Sequence, residues 1–260
     1  MKRFLSICLA LILVLITVLS LSGAETAESL SVGDIITFGT YPQTAEGTDQ
    51  TPIEWIVLDC DEENHKALLI SRYGLDTVDI NDDWSDYTWE KCTLRIWLNS
   101  EFLNKAFSLE EQSAILTTEV DNSEAQGFDW TTLEGISENR TGGNDTQDKI
   151  FLLSYAEANR YFGVIWEDDD SNNINARVAP TAYANARYAW ANESYLTADG
   201  EPAGRWWLRS SGMWGYYSSY VSFDGSLVGD LDGDFGHVDR PAFWLNLESA
   251  ILQFDKNAGE

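Results

Sequence analysis

The chain has 260 residues, with 43 acidic against 16 basic side chains, a formal charge of −27 and three cysteines. So acidic a surface repels nucleic acid and anionic lipid headgroups, which need cationic side chains to displace their counterions, and neither is expected as a partner. The length suffices for one large domain or two small ones with a well-buried core.

Lys2 and Arg3 precede an apolar run over residues 4–21, and Ser22-Gly23-Ala24 offers small residues for cleavage. This is the pattern of an export signal, so residues 1–24 are expected to be a signal peptide and the mature chain to be extracellular or at the cell surface. The run approaches the length of a membrane span, which keeps an uncleaved N-terminal anchor as the alternative. Cys8 follows Ile7 and lies too early in the run for lipid attachment. Cys60 and Cys92 remain, which excludes a thiolate zinc site and permits one disulfide at most. Sequence gives no Cα separation, so whether they pair stays open.

Runs rich in Ile, Val, Leu and aromatics, flanked by turn formers, predict strands over 34–38, 53–59, 67–71 and 149–153. Leu94, Trp97 and Leu98 share one helical face, and Phe102, Leu103, Ala106 and Phe107 continue the spacing after an interruption at Asn99-Ser100. Ser108 with Glu111, and Ser154 with Glu157, have the spacing of capping boxes and mark two helix starts. Residues 121–148 are polar and poor in aliphatics, as suits a long surface loop. Alanines recur between Tyr183, Tyr188 and Trp190, which predicts a helix within 181–191.

The last quarter changes character. Strand-like runs cover 205–209 and 242–247, and 220–223 and 226–228 flank Asp224-Gly225. That dipeptide signals a hairpin turn with positive φ at both central residues. The class is α+β, a single globular domain over 25–260 with short mixed or antiparallel strands, several short helices and long loops.

Six motifs occur in order: Tyr41-Pro42-Gln43, Pro52-Ile53-Glu54-Trp55, Leu94-Arg95-Ile96-Trp97-Leu98-Asn99, Phe151-Leu152-Leu153-Ser154, Trp206-Trp207-Leu208-Arg209-Ser210 and Arg240-Pro241-Ala242-Phe243-Trp244-Leu245. Their order resembles the secreted gut-bacterial proteins called domain of unknown function 6273. The segment at about 205–247 also resembles the closing segment of C-type-lectin-like folds, which include formylglycine-generating enzymes and the variable proteins of diversity-generating retroelements. The resemblance implies that fold, although fold alone implies no activity. The late cysteine pair of the oxidase-like relatives is missing, since no cysteine follows Cys92. Calcium-dependent lectins use Glu-Pro-Asn or Gln-Pro-Asp, whereas this chain has Glu201-Pro202-Ala203. Residues 215–243 contain no Lys, Glu, Gln, Met or Trp, the five residues that mutated adenines in Asn codons cannot generate. A diversified surface and a strand-and-turn region that merely happens to be rich in Gly, Ser and Tyr both account for this.

Within residues 213–239, Trp214, Tyr216, Tyr217, Tyr220, Asp230, Asp232, Asp234, Phe235 and His237 are the candidate ligand-binding residues. Tyr gives large contact area for little lost rotamer freedom, and the interleaved Ser, Gly and Asp supply adaptable hydrogen bonds. Tyr216, Tyr217, Tyr220 and Phe235 are expected on the surface, and Phe223 in the core. Asp230, Asp232 and Asp234 alternate as in oxygen-rich calcium loops, yet no Glu completes the pattern, so a solvated acidic turn is expected and no cofactor is assigned. Neither His65 nor His237 sits in a nucleophile motif, which favours recognition of a protein or glycan over catalysis. A glycan hydrolase with a carboxylate pair and a structural envelope protein are the alternatives. Trp55, Trp97, Trp207 and Trp244 are expected to fill the core, and Arg95, Arg209 and Arg240 to partner buried carboxylates or carbonyls.

Overall fold

The computed structural model describes residues 30–82, 88–166, 172–232 and 236–249, with backbone alone at 230–232. The expected signal peptide, Asp234 and Phe235 lie outside the described residues. The chain begins with strands β1 (Ile35–Tyr41), β2 (Thr51–Asp61) and β3 (Lys66–Ser71). Helices α1 (Thr93–Trp97), α2 (Leu103–Ala106) and α3 (Leu109–Ala114) follow, then β4 (Thr118–Val120), β5 (Thr146–Asp148), α4 (Tyr155–Phe162) and α5 (Ala182–Ala186). The remainder is β6 (Ala191–Leu196), β7 (Pro202–Ser211), β8 (Tyr217–Val221), β9 (Leu227–Asp232), β10 (His237–Val238) and β11 (Ala242–Asn246). The architecture is α+β, with mostly antiparallel strands and few short helices.

Strands β1, β2, β3 and β11 form one antiparallel sheet in that order. The alternation of β1 places Ile36 and Phe38 inward, and a bulge between Thr37 and Thr40 turns Tyr41 inward as well. Gly39 makes the bulge: its φ is +69°, and a Cβ there would lie 2.6 Å from the Phe107 ring. Trp55, Phe38, Phe107 and Phe243 pack on this sheet, with the Trp55 and Phe243 rings 4.7 Å apart edge to face. Trp55 Nε1 donates to the Phe38 carbonyl at 2.7 Å, so the largest core ring is not left with an unmet donor. The free edge of β11 is also used. Ala242 exchanges hydrogen bonds with Phe151 (2.8 and 2.9 Å), and the Leu116 amide donates to the Trp244 carbonyl at 2.9 Å.

The interruption expected at Asn99-Ser100 is instead a π turn, Leu98–Phe102, that joins α1 to α2. Its purpose is visible in Asn99, whose side chain accepts from the Lys149 and Ile150 amides (2.8 and 3.1 Å) and donates to the Ile150 carbonyl at 2.8 Å. Those side-chain bonds take the backbone groups a strand over 149–153 would have used. The strand expected there is thus absent, and a short β5 precedes it. Both capping boxes form as predicted, at α3 and α4.

The second sheet has the order β10-β7-β8-β9, with β6 paired to the first residues of β7. Trp206, Trp207, Leu208, Arg209 and Ser210 are all buried, so β7 is covered on both faces. Trp55 and Trp207 are core as expected, while Trp97 and Trp244 are half-buried. Arg95 pairs with the buried Asp148 at 2.8 Å, and Arg209 with Glu157 and the Leu152 carbonyl. Arg240 donates to the Ser71 carbonyl at 3.1 Å. The hairpin between β8 and β9 forms, yet only Gly225 takes positive φ (+89°). Asp224 stays in ordinary space and uses its carboxylate to accept from the Ser226 amide and hydroxyl at 2.9 and 2.7 Å. Cys60 and Cys92 are free thiols; burial pushes Cys92 up to about 12 and raises Cys60, which keeps both protonated near neutrality. Among the described residues no helix is long and apolar enough to cross a membrane.

Candidate functional site

The turn from β7 into β8 holds Trp214, Gly215 and Tyr216 at its tip. Backbone bonds brace it on three sides: Gly212 N to Tyr217 O (2.9 Å), Tyr217 N to Trp214 O (2.9 Å) and Met213 N to Gly229 O (2.9 Å) on β9. Gly212 is required there, since a Cβ would lie 2.6 Å from the Gly229 carbonyl. Trp214 is 47% and Tyr216 40% exposed, and Tyr217 is half-buried with its ring edge to face on Tyr216 at 4.6 Å. Two large rings thus face solvent from a turn whose backbone is already hydrogen-bonded, and little ordering remains to be done when a partner arrives.

The segment expected as a plain surface loop supports this turn from behind. Trp130, on a 3₁₀ turn within 121–148, is 1% exposed and donates from Nε1 to the Ser211 carbonyl at 3.2 Å. Its ring lies on Gly229, where a Cβ would come within 2.2 Å. Phe128, Tyr155 and Trp166 complete an aromatic cluster around it, with Trp130 and Trp166 edge to face at 5.0 Å. Spacing alone gives no signal for this, because a single Trp in a polar stretch carries no periodicity.

Tyr220 and His237 are corrections. Both were expected to meet a ligand, yet they are 3% and 2% exposed. Tyr220 sits on a central strand opposite Trp207 and Val228, and register shifts on both sides of β8 turn it inward. His237 stacks on Trp207 at 3.9 Å and meets the edge of Tyr220 at 4.4 Å. Arg205 caps the group, its guanidinium 4.9 Å from Trp190, 4.6 Å from Phe223 and 5.7 Å from Tyr220. Phe223 is buried as expected. Trp190 was assigned to a helix over 181–191; α5 ends at Ala186, and Trp190 is 56% exposed with its amide bonded to the Gly236 carbonyl at 3.0 Å. Asp230 and Asp232 lie on β9, with their side chains outside the described residues. Among the described residues, no group of three or more His, Cys, Asp or Glu is arranged to hold a metal ion.

A pair of buried acids lies elsewhere. Asp76 accepts from Tyr41 Oη and Arg187 Nε, both at 2.7 Å, and Asp239 accepts from the Val78 amide at 2.9 Å. Burial, then the Asp76 charge, holds Asp239 well above the usual carboxylate range. The neighbouring cleft of about 420 Å³ is lined by Thr77, Asp79, Arg187, Tyr188 and Gly236, and neither member of the pair reaches it.

The fold and this turn define an α+β protein that presents an aromatic loop tip from a rigid, mainly antiparallel framework. A family model described as "Domain of unknown function (DUF6273)" matches residues 64–247, and the chain belongs to that family. The matched stretch begins at the turn before β3 and ends just past β11, so it holds the whole second sheet and the tip. No curated protein and no solved structure matches the chain.

Proposed function

We propose that this chain is an exported, non-enzymatic recognition module that binds a protein or glycan through Trp214, Tyr216 and Tyr217 on a C-type-lectin-like scaffold. The observation that carries the reading is the tip itself: Trp214 and Tyr216 are both exposed on a turn braced by three backbone hydrogen bonds. Trp and Tyr are the residues that anchor interfaces, because each gives large contact area at the loss of only two torsions. The apolar run over 4–21 supports export. A hydrolase reading is weaker on the same page, since Asp76 is engaged by Tyr41 and Arg187 and neither buried acid opens to the adjoining cleft.

The test is a glycan and protein array probed with the mature chain and with a Trp214→Ala, Tyr216→Ala double variant. Loss of two anchors should weaken binding by about 2 kcal/mol or more, roughly thirtyfold, while the fold persists. Unchanged binding in a folded double variant would remove the tip from the ligand site.

A further inference from the structure

Arg72, Arg177 and Arg240 line one cleft of about 350 Å³. The chain has 43 acidic side chains for its 16 basic ones, so each cation is expected to find a carboxylate. Arg72 does, pairing with Glu54 at 2.7 Å and Asp199 at 3.0 Å. Among the described residues Arg177 and Arg240 do not. Arg177 donates to the Leu196 carbonyl at 2.8 Å and to the Asn172 side-chain oxygen, and its buried Nε has no hydrogen-bond partner among the described residues. Arg240 is 2% exposed and donates from Nε to the Ser71 carbonyl (3.1 Å), and its buried Nη1 has no partner among the described residues. Its guanidinium is held in place by the Phe162 and Trp206 rings, each 4.9 Å away.

A buried donor without an acceptor is costly, and a buried cation without a counter-ion more so. Burial alone lowers the Arg240 guanidinium to about 9, a penalty that an anion in the cleft would offset. The remaining walls include Ile35, Ile56, Ile174 and Val178, which suit an apolar body. Asp199 at the same cleft repels a second negative charge, which favours a monoanion over a phosphate dianion.

We infer that this cleft binds a carboxylate carried on a small apolar body, with Arg240 and Arg177 donating to the carboxylate and the isoleucines covering the body. The planar guanidinium fork matches a carboxylate, and the cleft volume lies in the range of small-molecule sites. This site is independent of the Trp214 tip.

Calorimetric titration and thermal melts of the mature chain with hexanoate, N-acetyl-leucine, hexanamide and inorganic phosphate test it. Hexanoate or N-acetyl-leucine should bind and raise the melting temperature, while hexanamide, which keeps the shape and lacks the charge, and phosphate should not. The tighter of the two acids tells a free organic acid from a peptide C-terminus. Arg177→Gln should weaken the acid at least tenfold, and Arg240→Met should abolish the response. Should Arg240→Met fail to fold, Arg177→Gln and the contrast between acid and amide still decide. An equal response to hexanamide, a stronger one to phosphate, no response to either acid, or undiminished affinity in Arg177→Gln would each overturn the proposal.

Discussion

Tyr216 and Tyr220 stand four residues apart in one hairpin, yet the first is 40% exposed and the second 3%. Their surroundings in sequence are alike, rich in Tyr, Ser and Gly, so composition does not separate them. Position in the sheet does. Tyr216 belongs to the turn, whereas Tyr220 faces Trp207 on one side and Val228 on the other. A tyrosine-rich stretch can therefore hold a recognition tip and part of the hydrophobic core within a few residues, and each half fails differently when cut.

The largest expected effect is on the core half. Trp207→Ala removes a fully buried indole and the ring on which His237 stacks, and should lower stability by about 3 to 5 kcal/mol in a denaturant or thermal melt. An unchanged midpoint would dissolve the distinction between the halves. Tyr220→Ala should follow at about 3 kcal/mol, with Tyr220→Phe much milder because the ring contacts with Trp207 and His237 survive.

A third effect comes from Asp239, which bridges to Asp76 in the segment that follows β3. Its folded value is raised, so its contribution is full below the unfolded carboxylate range near pH 4 and is lost as pH rises through the raised value. Asp239→Asn mimics the protonated form, and its melting temperature should gain on the wild type as pH climbs from about 4 towards neutrality. Parallel pH curves would show that Asp239 is not desolvated as described. The smallest effect belongs to the tip: Trp214→Ala with Tyr216→Ala should shift stability by no more than about 1 kcal/mol, and a larger loss would make the tip part of the core.

Features that are local in sequence were legible. The two capping boxes depend on a Ser and a Glu three residues apart, and both form. Strands β1 to β3, β7 and β11 follow from runs of β-branched and aromatic residues, and Gly225 marks its hairpin. Features that depend on distant partners were not. Nothing near Asn99 reveals that its amide will bind 149–150, so the helix reads as broken and the later segment as a strand. Tyr220 was misjudged because strand alternation gives two faces without saying which is inside, and the bulges that choose between them leave no clear residue signature. Tyr216 was expected on the surface and is exposed, whereas Tyr217, expected beside it, is half-buried, and Trp130 behind the turn and the burial of Arg240 depend on contacts across the fold.

The pairing of β11 also dictates an order of events in time. Strand β3 receives its second neighbour from residues 242–246, and the Leu116 and Phe151 amides wait for carbonyls of the same segment. That segment is synthesised long after β3, so the first sheet keeps an open edge until residues 242–246 have been made. Contacts this far apart slow folding, because loop closure must be achieved before the pairing stabilises anything. A chain stopped short of Ala242 should be open to protease along β3, because one edge of that strand then has no partner.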